Sequence, residues 1–69
     1  AREKRHLIPQ ILRRNDKLDA EEKLALMKAT IYPNRSLHEV LPKLFKYDSS
    51  RSTYIMKCYD QLWKLREHP

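Results

Sequence analysis

Apolar residues recur at helical spacing in three segments of the chain. The first segment places them at i, i+4, i+7 and i+11, at Ala20, Leu24, Met27 and Ile31. The second follows an i, i+3, i+4, i+7, i+8 pattern, at Leu37, Val40, Leu41, Leu44 and Phe45. The third runs from about Ser50 to Arg66, with an apolar face centred on Ile55, Cys58, Tyr59 and Leu62. We therefore expect three helices, of which the last is the longest.

Capping sequences mark where the first two helices begin. Asp19–Glu22 and Ser36–Glu39 each place an N-cap residue three positions before a glutamate, which is the capping-box pattern. Pro33 should end the first helix, because the residue before a proline is pushed out of the α region. Pro42 lies inside the second helix, where it deletes one hydrogen bond, so we expect that helix to bend or become irregular.

Residues 1–17 form a basic segment, with six lysines and arginines against two acidic residues. They are expected to be either a basic arm or a short helix, in which one or two turns from Pro9 to Arg14 dock Ile8, Ile11 and Leu12. Proline suits a first helical turn. Basic arms often bind phosphates, although a solvated tail that keeps a protein soluble has the same composition. Residues 18–69 are expected to form the compact domain.

Composition narrows the possible functions. The 69 residues carry a net charge of +6, no glycine and one cysteine. The chain is too short for a large enzyme, lacks the glycine-rich loops that hold nucleotides, and contains no apolar run long enough to cross a membrane. Cys58 is expected to be a buried thiol in a reducing compartment, and three scattered histidines have no metal-ligand spacing. We expect no enzymatic activity, metal, cofactor or small-molecule substrate. Because no methionine begins the chain, we also expect it to derive from a longer protein.

Residues 18–66 resemble Myb/SANT repeats. Leu18–Glu22 resembles the start of these repeats, where a large apolar residue, usually tryptophan, precedes a glutamate pair. Leu37–Val40 resembles the opening of the second Myb helix, again with leucine where tryptophan is usual, and Arg51–Leu65 resembles the turn and third helix of Myb-like domains, including the telomeric type. The resemblance implies an all-α, three-helix helix-turn-helix domain of the Myb/homeodomain type, preceded here by the basic segment.

This resemblance implies a nuclear protein that binds duplex DNA through its third helix. Lys57, Gln61 and Lys64 recur at i, i+4 and i+7, so they form one polar stripe that can reach base edges in the major groove. Lysines and an arginine near the preceding turn would neutralise phosphates, and the basic arm would follow the minor groove. The candidate DNA-binding residues are Arg2, Lys4, Arg5, Lys43, Lys46, Arg51, Lys57, Gln61 and Lys64. The alternative for the polar stripe is a plain solvated face.

A second hypothesis is a SANT-type module that binds protein in a chromatin or regulatory complex. Tyr54 and Leu65 lie on one side of the apolar face of the third helix, and Met56 and Trp63 lie on the other. A small three-helix body has too little surface to cover all of them, and uncovered aromatic and methionine side chains favour a protein partner. That partner would be a helix or a tail, or a second copy of this chain. The exposure of Met56 and Trp63 should separate the two hypotheses.

Overall fold

The computed structural model describes residues 5–32 and 35–67, and these residues fold entirely into helices and connecting turns. The elements are a 3-10 turn at Arg5–Leu7, α1 at Ile8–Arg14, α2 at Ala20–Ile31, α3 at Leu37–Val40, a 3-10 segment at Pro42–Lys46, and α4 at Ser49–Glu67. No strand occurs in the described ranges, which confirms the predicted all-α class. The predicted stop signal at Pro33 and Asn34 lies outside them, although α2 does end just before it.

Helix α1 packs against α2 and contributes to the core. Pro9 lies in its first turn, where the missing amide donor costs no helical hydrogen bond. Ile8 and Leu12, one helical turn apart, are fully buried, whereas Ile11 keeps 41% of its surface exposed. The expected docking of Ile8 and Leu12 is therefore confirmed, and that of Ile11 is wrong because only one narrow face of this short helix meets the body.

Helix α2 begins as its capping box predicts, but it buries a different face from the expected one. The backbone amide of Glu22 donates to the Asp19 carboxylate at 2.8 Å, and the Asp19 amide donates to the Glu22 carboxylate at 2.9 Å. The buried residues of α2 are Glu22, Ala25, Leu26, Ala29 and Thr30. Leu24, expected in the core, is 51% exposed. The small side chains of Ala25 and Ala29 let other helices approach closely on this face, where a leucine would keep them apart.

The predicted second helix is divided into two elements. Helix α3 ends at Val40, and the chain continues from Pro42 as a 3-10 segment. The irregularity expected at Pro42 is therefore confirmed, but it divides the predicted helix into two elements and does not merely bend it. Leu41 has φ −129° and ψ 74°, outside the α region, as the steric effect of a following proline predicts. A 3-10 helix has about three residues per turn. Leu44 therefore follows Leu41 into the core, while Phe45 turns outward and is 78% exposed.

Helix α4 is the longest element and completes the core. Its start is held by Asp48, whose carboxylate accepts from the Arg51 backbone amide at 2.8 Å. Ile55 and Leu62, two turns apart, are buried, whereas Cys58 and the neighbouring tyrosine are half-buried at the edge of this face. The core draws on all four α-helices, on Leu18 between α1 and α2, and on Leu41 and Leu44 between α3 and α4. Its buried apolar members are Ile8, Leu12, Leu18, Ala25, Leu26, Ala29, Leu37, Leu41, Leu44, Ile55 and Leu62.

We expect Leu12→Ala to destabilise the protein far more than Ile11→Ala. Leu12 is 2% exposed, so its truncation leaves a cavity, and such changes lower the free energy of unfolding by about 2–5 kcal/mol. The Ile11 side chain is already partly exposed to water, so Ile11→Ala should lower the free energy of unfolding by only about 1 kcal/mol. Urea unfolding followed by far-ultraviolet circular dichroism measures both variants. Equal losses would contradict the docking of α1 through Leu12.

Candidate functional site

A buried carboxylate lies where α2, the 3-10 segment and α4 meet. The side chain of Glu22 is 2% exposed. The Tyr47 hydroxyl donates to its Oε2 atom at 2.6 Å, and Arg51 Nε donates to the same oxygen at 3.2 Å. Arg51 Nη2 completes a bidentate ion pair with Oε1 and also donates to the Lys17 carbonyl at 2.7 Å. We call Glu22, Tyr47 and Arg51 the Glu22 cluster.

The electrostatics of the Glu22 cluster favour the ion pair. Burial by itself would raise the pKa of Glu22, because it removes water from the carboxylate. Hydrogen bonds from the Tyr47 hydroxyl, the Asp19 amide and the Arg51 guanidinium outweigh that effect, so the pKa lies below its ordinary value of 4.5. The hydrogen bond to Glu22 raises the pKa of Arg51. Burial and the Glu22 carboxylate together raise the pKa of Tyr47, which therefore stays a neutral donor.

Lys43 extends the same network at the surface. Its ammonium lies 3.0 Å from Oδ2 of Asp19 and 3.6 Å from Oε1 of Glu21. The hydrogen bond to Asp19 raises the pKa of Lys43, and the pKa of Asp19 is lowered by the Glu22 amide and by Lys43. Lys43 and Arg51 were both candidates for contacts with phosphate. The structure places both against carboxylates of the same domain.

The polar stripe is exposed along α4. Lys57, Gln61 and Lys64 all face solvent, and no described segment covers them. Lys64 lies 3.1 Å from the Asp60 carboxylate, one turn earlier on the helix. Glu67 also lies on this side, but its carboxylate is 3.4 Å from Nη1 of Arg66. The stripe therefore offers hydrogen-bonding groups in a row and a small positive charge, which is that of Lys57.

The apolar side chains beside the stripe fall into two separate groups. Met56 is 42% exposed and lies on the side of α4 where the rings of Tyr59 and Trp63 meet edge to face, with centroids 6.1 Å apart. Arg66 covers the Trp63 ring at 4.6 Å. Trp63 is thus half-buried while Met56 is exposed to solvent. Because only one of the two side chains is exposed, their exposure does not decide between the two hypotheses.

Tyr54 and Leu65, the other two residues proposed to bind a partner, lie on the opposite side of α4. The Tyr54 hydroxyl accepts a hydrogen bond from the Asn15 side-chain amide at 2.9 Å, and the Tyr54 ring lies 5.5 Å from the Arg51 guanidinium. Leu65 lines a groove between α1 and α4. The four apolar residues therefore do not form one surface.

The remaining candidate residues are spread over the surface or lie outside the described part. Lys46 is exposed, with its ammonium 5.8 Å from the Phe45 ring. Arg2 and Lys4 lie outside the described residues, and Arg5 is placed only by its backbone, as the first residue of the 3-10 turn. Two exposed arginines that were not among the candidates, Arg13 and Arg14, lie on α1. Their basic character was visible in the sequence, but their position on a docked helix was not.

The described part of the chain offers neither a metal-binding cluster nor a membrane-spanning helix. No group of three or more histidine, cysteine or carboxylate side chains there is placed to hold a metal ion. None of the helices described is both long and apolar enough to cross a membrane. Comparison of the chain with protein-family models, with curated proteins and with solved structures found no match.

The Glu22 cluster is the main feature that sequence patterns missed. The sequence pattern places Glu22 only in the capping box that begins α2. A signal was present, because Glu22, Ala25, Leu26 and Ala29 follow an i, i+3, i+4, i+7 pattern. That pattern contains a charged residue and two small ones, so the sequence alone does not identify it as a buried face. It becomes recognisable only when Arg51 is known to pair with Glu22.

We expect Glu22→Gln to lower the free energy of unfolding by about 2–3 kcal/mol. The amide leaves the Arg51 guanidinium without its counter-ion and the Tyr47 hydroxyl with a weaker acceptor. The estimate is below that for a fully buried pair because Arg51 remains 34% exposed. Glu21→Gln, the same change at the adjacent exposed position, should hardly change the urea midpoint. Similar losses in the two variants would contradict a structural role for the ion pair.

The Glu22 cluster should also make stability depend on acid. Because the pKa of Glu22 is lower in the folded state than its ordinary 4.5, the unfolded chain binds more protons below about pH 5. The stabilisation is therefore complete above that range and is lost as the pH falls through the folded pKa. Other carboxylates also contribute to the acid dependence of stability. The measurement is therefore the thermal midpoint of the wild type minus that of Glu22→Gln, followed from pH 7 to pH 3. That difference should shrink as the pH falls, and a constant difference would contradict the lowered pKa.

Proposed function

We propose that this domain binds duplex DNA, with α4 in the major groove, as a Myb-like helix-turn-helix domain of a nuclear transcription, chromatin or telomere protein. The observation that carries the proposal is the polar stripe: Lys57, Gln61 and Lys64 are aligned on one exposed face of a 19-residue helix. Such a helix is about 28 Å long, and a major groove admits a helix of this kind. In this proposal the domain binds DNA but does not catalyse a reaction.

The stripe supplies base contacts in this proposal, and other residues supply phosphate contacts. Lysine can donate to guanine, and glutamine can form a bidentate pair with adenine. Since the exposed face of α4 carries only a small positive charge, most of the phosphate attraction comes from exposed cations elsewhere, such as Lys46, Arg13 and Arg14, and from the basic residues at the start of the chain. Lys43 and Arg51 act mainly by holding the domain together, because their charges already face carboxylates.

We expect Lys57→Gln to weaken DNA binding without changing stability. Because Lys57 would lie between the phosphates of the groove, loss of its charge should also reduce the slope of log affinity against log salt by up to about one unit. Lys28→Gln is the matched control, since it makes the same charge change at an exposed position on α2. Fluorescence anisotropy with a labelled random duplex, repeated at several salt concentrations, gives both slopes. Absence of wild-type binding even at low salt would overturn the proposal, and equal losses in both variants would remove α4 from the interface.

A second candidate function is the SANT-type protein-interaction module, and one observation favours it. The indole Nε1 of Trp63 and Nε of Arg66 are buried without a hydrogen-bond partner in the described part of the chain. Buried donors normally have partners, and Trp63 lies two helical turns after the exposed Met56 on α4. A partner that displaces the Arg66 guanidinium from the Trp63 ring would uncover these donors and supply the carbonyl or carboxylate that they lack. A basic histone tail fits poorly because the chain carries a net charge of +6.

We expect Met56→Glu to distinguish the second candidate from the first. The new carboxylate disrupts an apolar contact but lies beside the polar stripe rather than within it. If the domain works as a protein module through this side, the variant should lose its partner while keeping its fold and its Trp63 emission maximum in isolation. If DNA is the ligand, the variant should show a weaker but salt-dependent interaction with the duplex.

A further inference from the structure

An apolar groove between α1 and α4 borders the polar stripe at Gln61 and is separate from the Met56 side of α4. It has a volume of about 100 Å³, and most of its lining is apolar. Its walls are formed by Ile11, Leu12, Asn15, Cys58, Gln61, Leu62 and Leu65. Leu12 and Leu62 form the buried floor, whereas Ile11 stands at the rim with 41% of its surface in water. Neither the predicted DNA contacts nor the core packing requires that exposure.

Polar groups at the edges of the groove would orient a ligand. Asn15 is held in place by its hydrogen bond to the Tyr54 hydroxyl at 2.9 Å. Gln61 is exposed and carries both a donor and an acceptor. An apolar floor with a few amides at its edge suits an amphipathic helix, which places residues at i, i+3, i+4 and i+7 into such a groove.

The charges around the groove indicate the chemistry of that helix. Arg14 lies one turn after Ile11 on α1, and Lys57 lies one turn before Gln61 on α4, so each cation flanks one wall. At the Asn15 end, the Lys17 ammonium lies 5.9 Å from the centre of the Tyr54 ring.

Acidic residues near the groove offset only part of this charge. Lys64 lies one turn after Gln61 and shares its charge with Asp60 at 3.1 Å. Asp16 is exposed in the turn beside Asn15. Around the groove the cations Arg14, Lys17, Lys57 and Lys64 therefore outnumber these two carboxylates. A partner with acidic residues beside its apolar face would gain most from Arg14, Lys17 and Lys57.

We infer that the α1–α4 groove binds an acidic amphipathic helix of a partner protein, seated on Ile11, Cys58 and Leu65 and flanked by Arg14 and Lys57. The inference goes beyond DNA binding, because its apolar contacts lie off the polar stripe. Binding covers the exposed surface of Ile11 and neutralises cations that the isolated domain leaves around the groove.

The test uses the 69-residue chain and a designed helical peptide of about sixteen residues. The peptide has leucines at i, i+3, i+4 and i+7 and glutamate at most other positions, and a control peptide has lysine in place of glutamate. Fluorescence anisotropy should show saturable binding of the acidic peptide that weakens at high salt, and little binding of the lysine peptide. Amide chemical shifts of the labelled protein should change at Ile11, Cys58 and Leu65.

Two matched variants locate the binding site on the protein. Ile11→Glu should weaken the acidic peptide about tenfold or more, because it removes apolar burial and adds repulsion. Leu24→Glu makes the same change at an exposed leucine on α2, outside the groove, and should leave the affinity within about twofold. Circular dichroism confirms that both variants remain folded.

Several results would overturn the inference. They are equal binding of the two peptides, equal effects of the two variants, shifts confined to Met56 and Trp63, or light scattering that shows a dimer which Ile11→Glu dissociates. The last result would identify a second copy of the chain as the occupant. Binding of duplex DNA is measured separately, so loss of peptide binding and loss of DNA binding are distinguishable.

Discussion

The buried carboxylate of Glu22 is the constraint on which the rest of this fold depends. A charge removed from water is costly unless it is paired and hydrogen-bonded. Here the partners come from three parts of the chain: the Asp19 amide at the start of α2, the Tyr47 hydroxyl after the 3-10 segment, and Arg51 in the first turn of α4. Meeting this requirement brings those three segments together and determines which face of α2 is buried.

An ion pair of this kind contributes more to the choice of structure than to net stability. Replacing a buried pair by apolar side chains is often neutral or stabilising, whereas removing one partner is costly. A helix rotated to bury Leu24 instead would leave Arg51 without the Glu22 carboxylate. We therefore interpret the Glu22 cluster as a device that selects one packing of four short helices, in a domain too small for its apolar core alone to do so strongly.

The same network changes where the positive charge of the protein is available. Arg51 and Lys43 lie close to the turn before α4, yet both face carboxylates of the domain. The face of α4 that carries Lys57 has only a small positive charge, because Lys64 is paired with Asp60, and other exposed cations lie on α1 and in the turn after it. The net charge of +6 is therefore not a property of one basic helix. A negatively charged binding partner would therefore contact cations of both α1 and α4.

Local patterns in the sequence determined the helical class, the capped starts of α2 and α3, the extent of α4 and its buried residues Ile55 and Leu62, because caps and apolar periodicity act within one element. Only the tertiary structure decided the buried face of α2 and the roles of Lys43 and Arg51. Those depend on contacts between residues far apart in the chain. Taken by itself, a glutamate such as Glu22 is expected at the surface, and its burial is favourable only because Arg51 and Tyr47 bind its carboxylate. The groove at Ile11 likewise exists only because α1 docks beside α4.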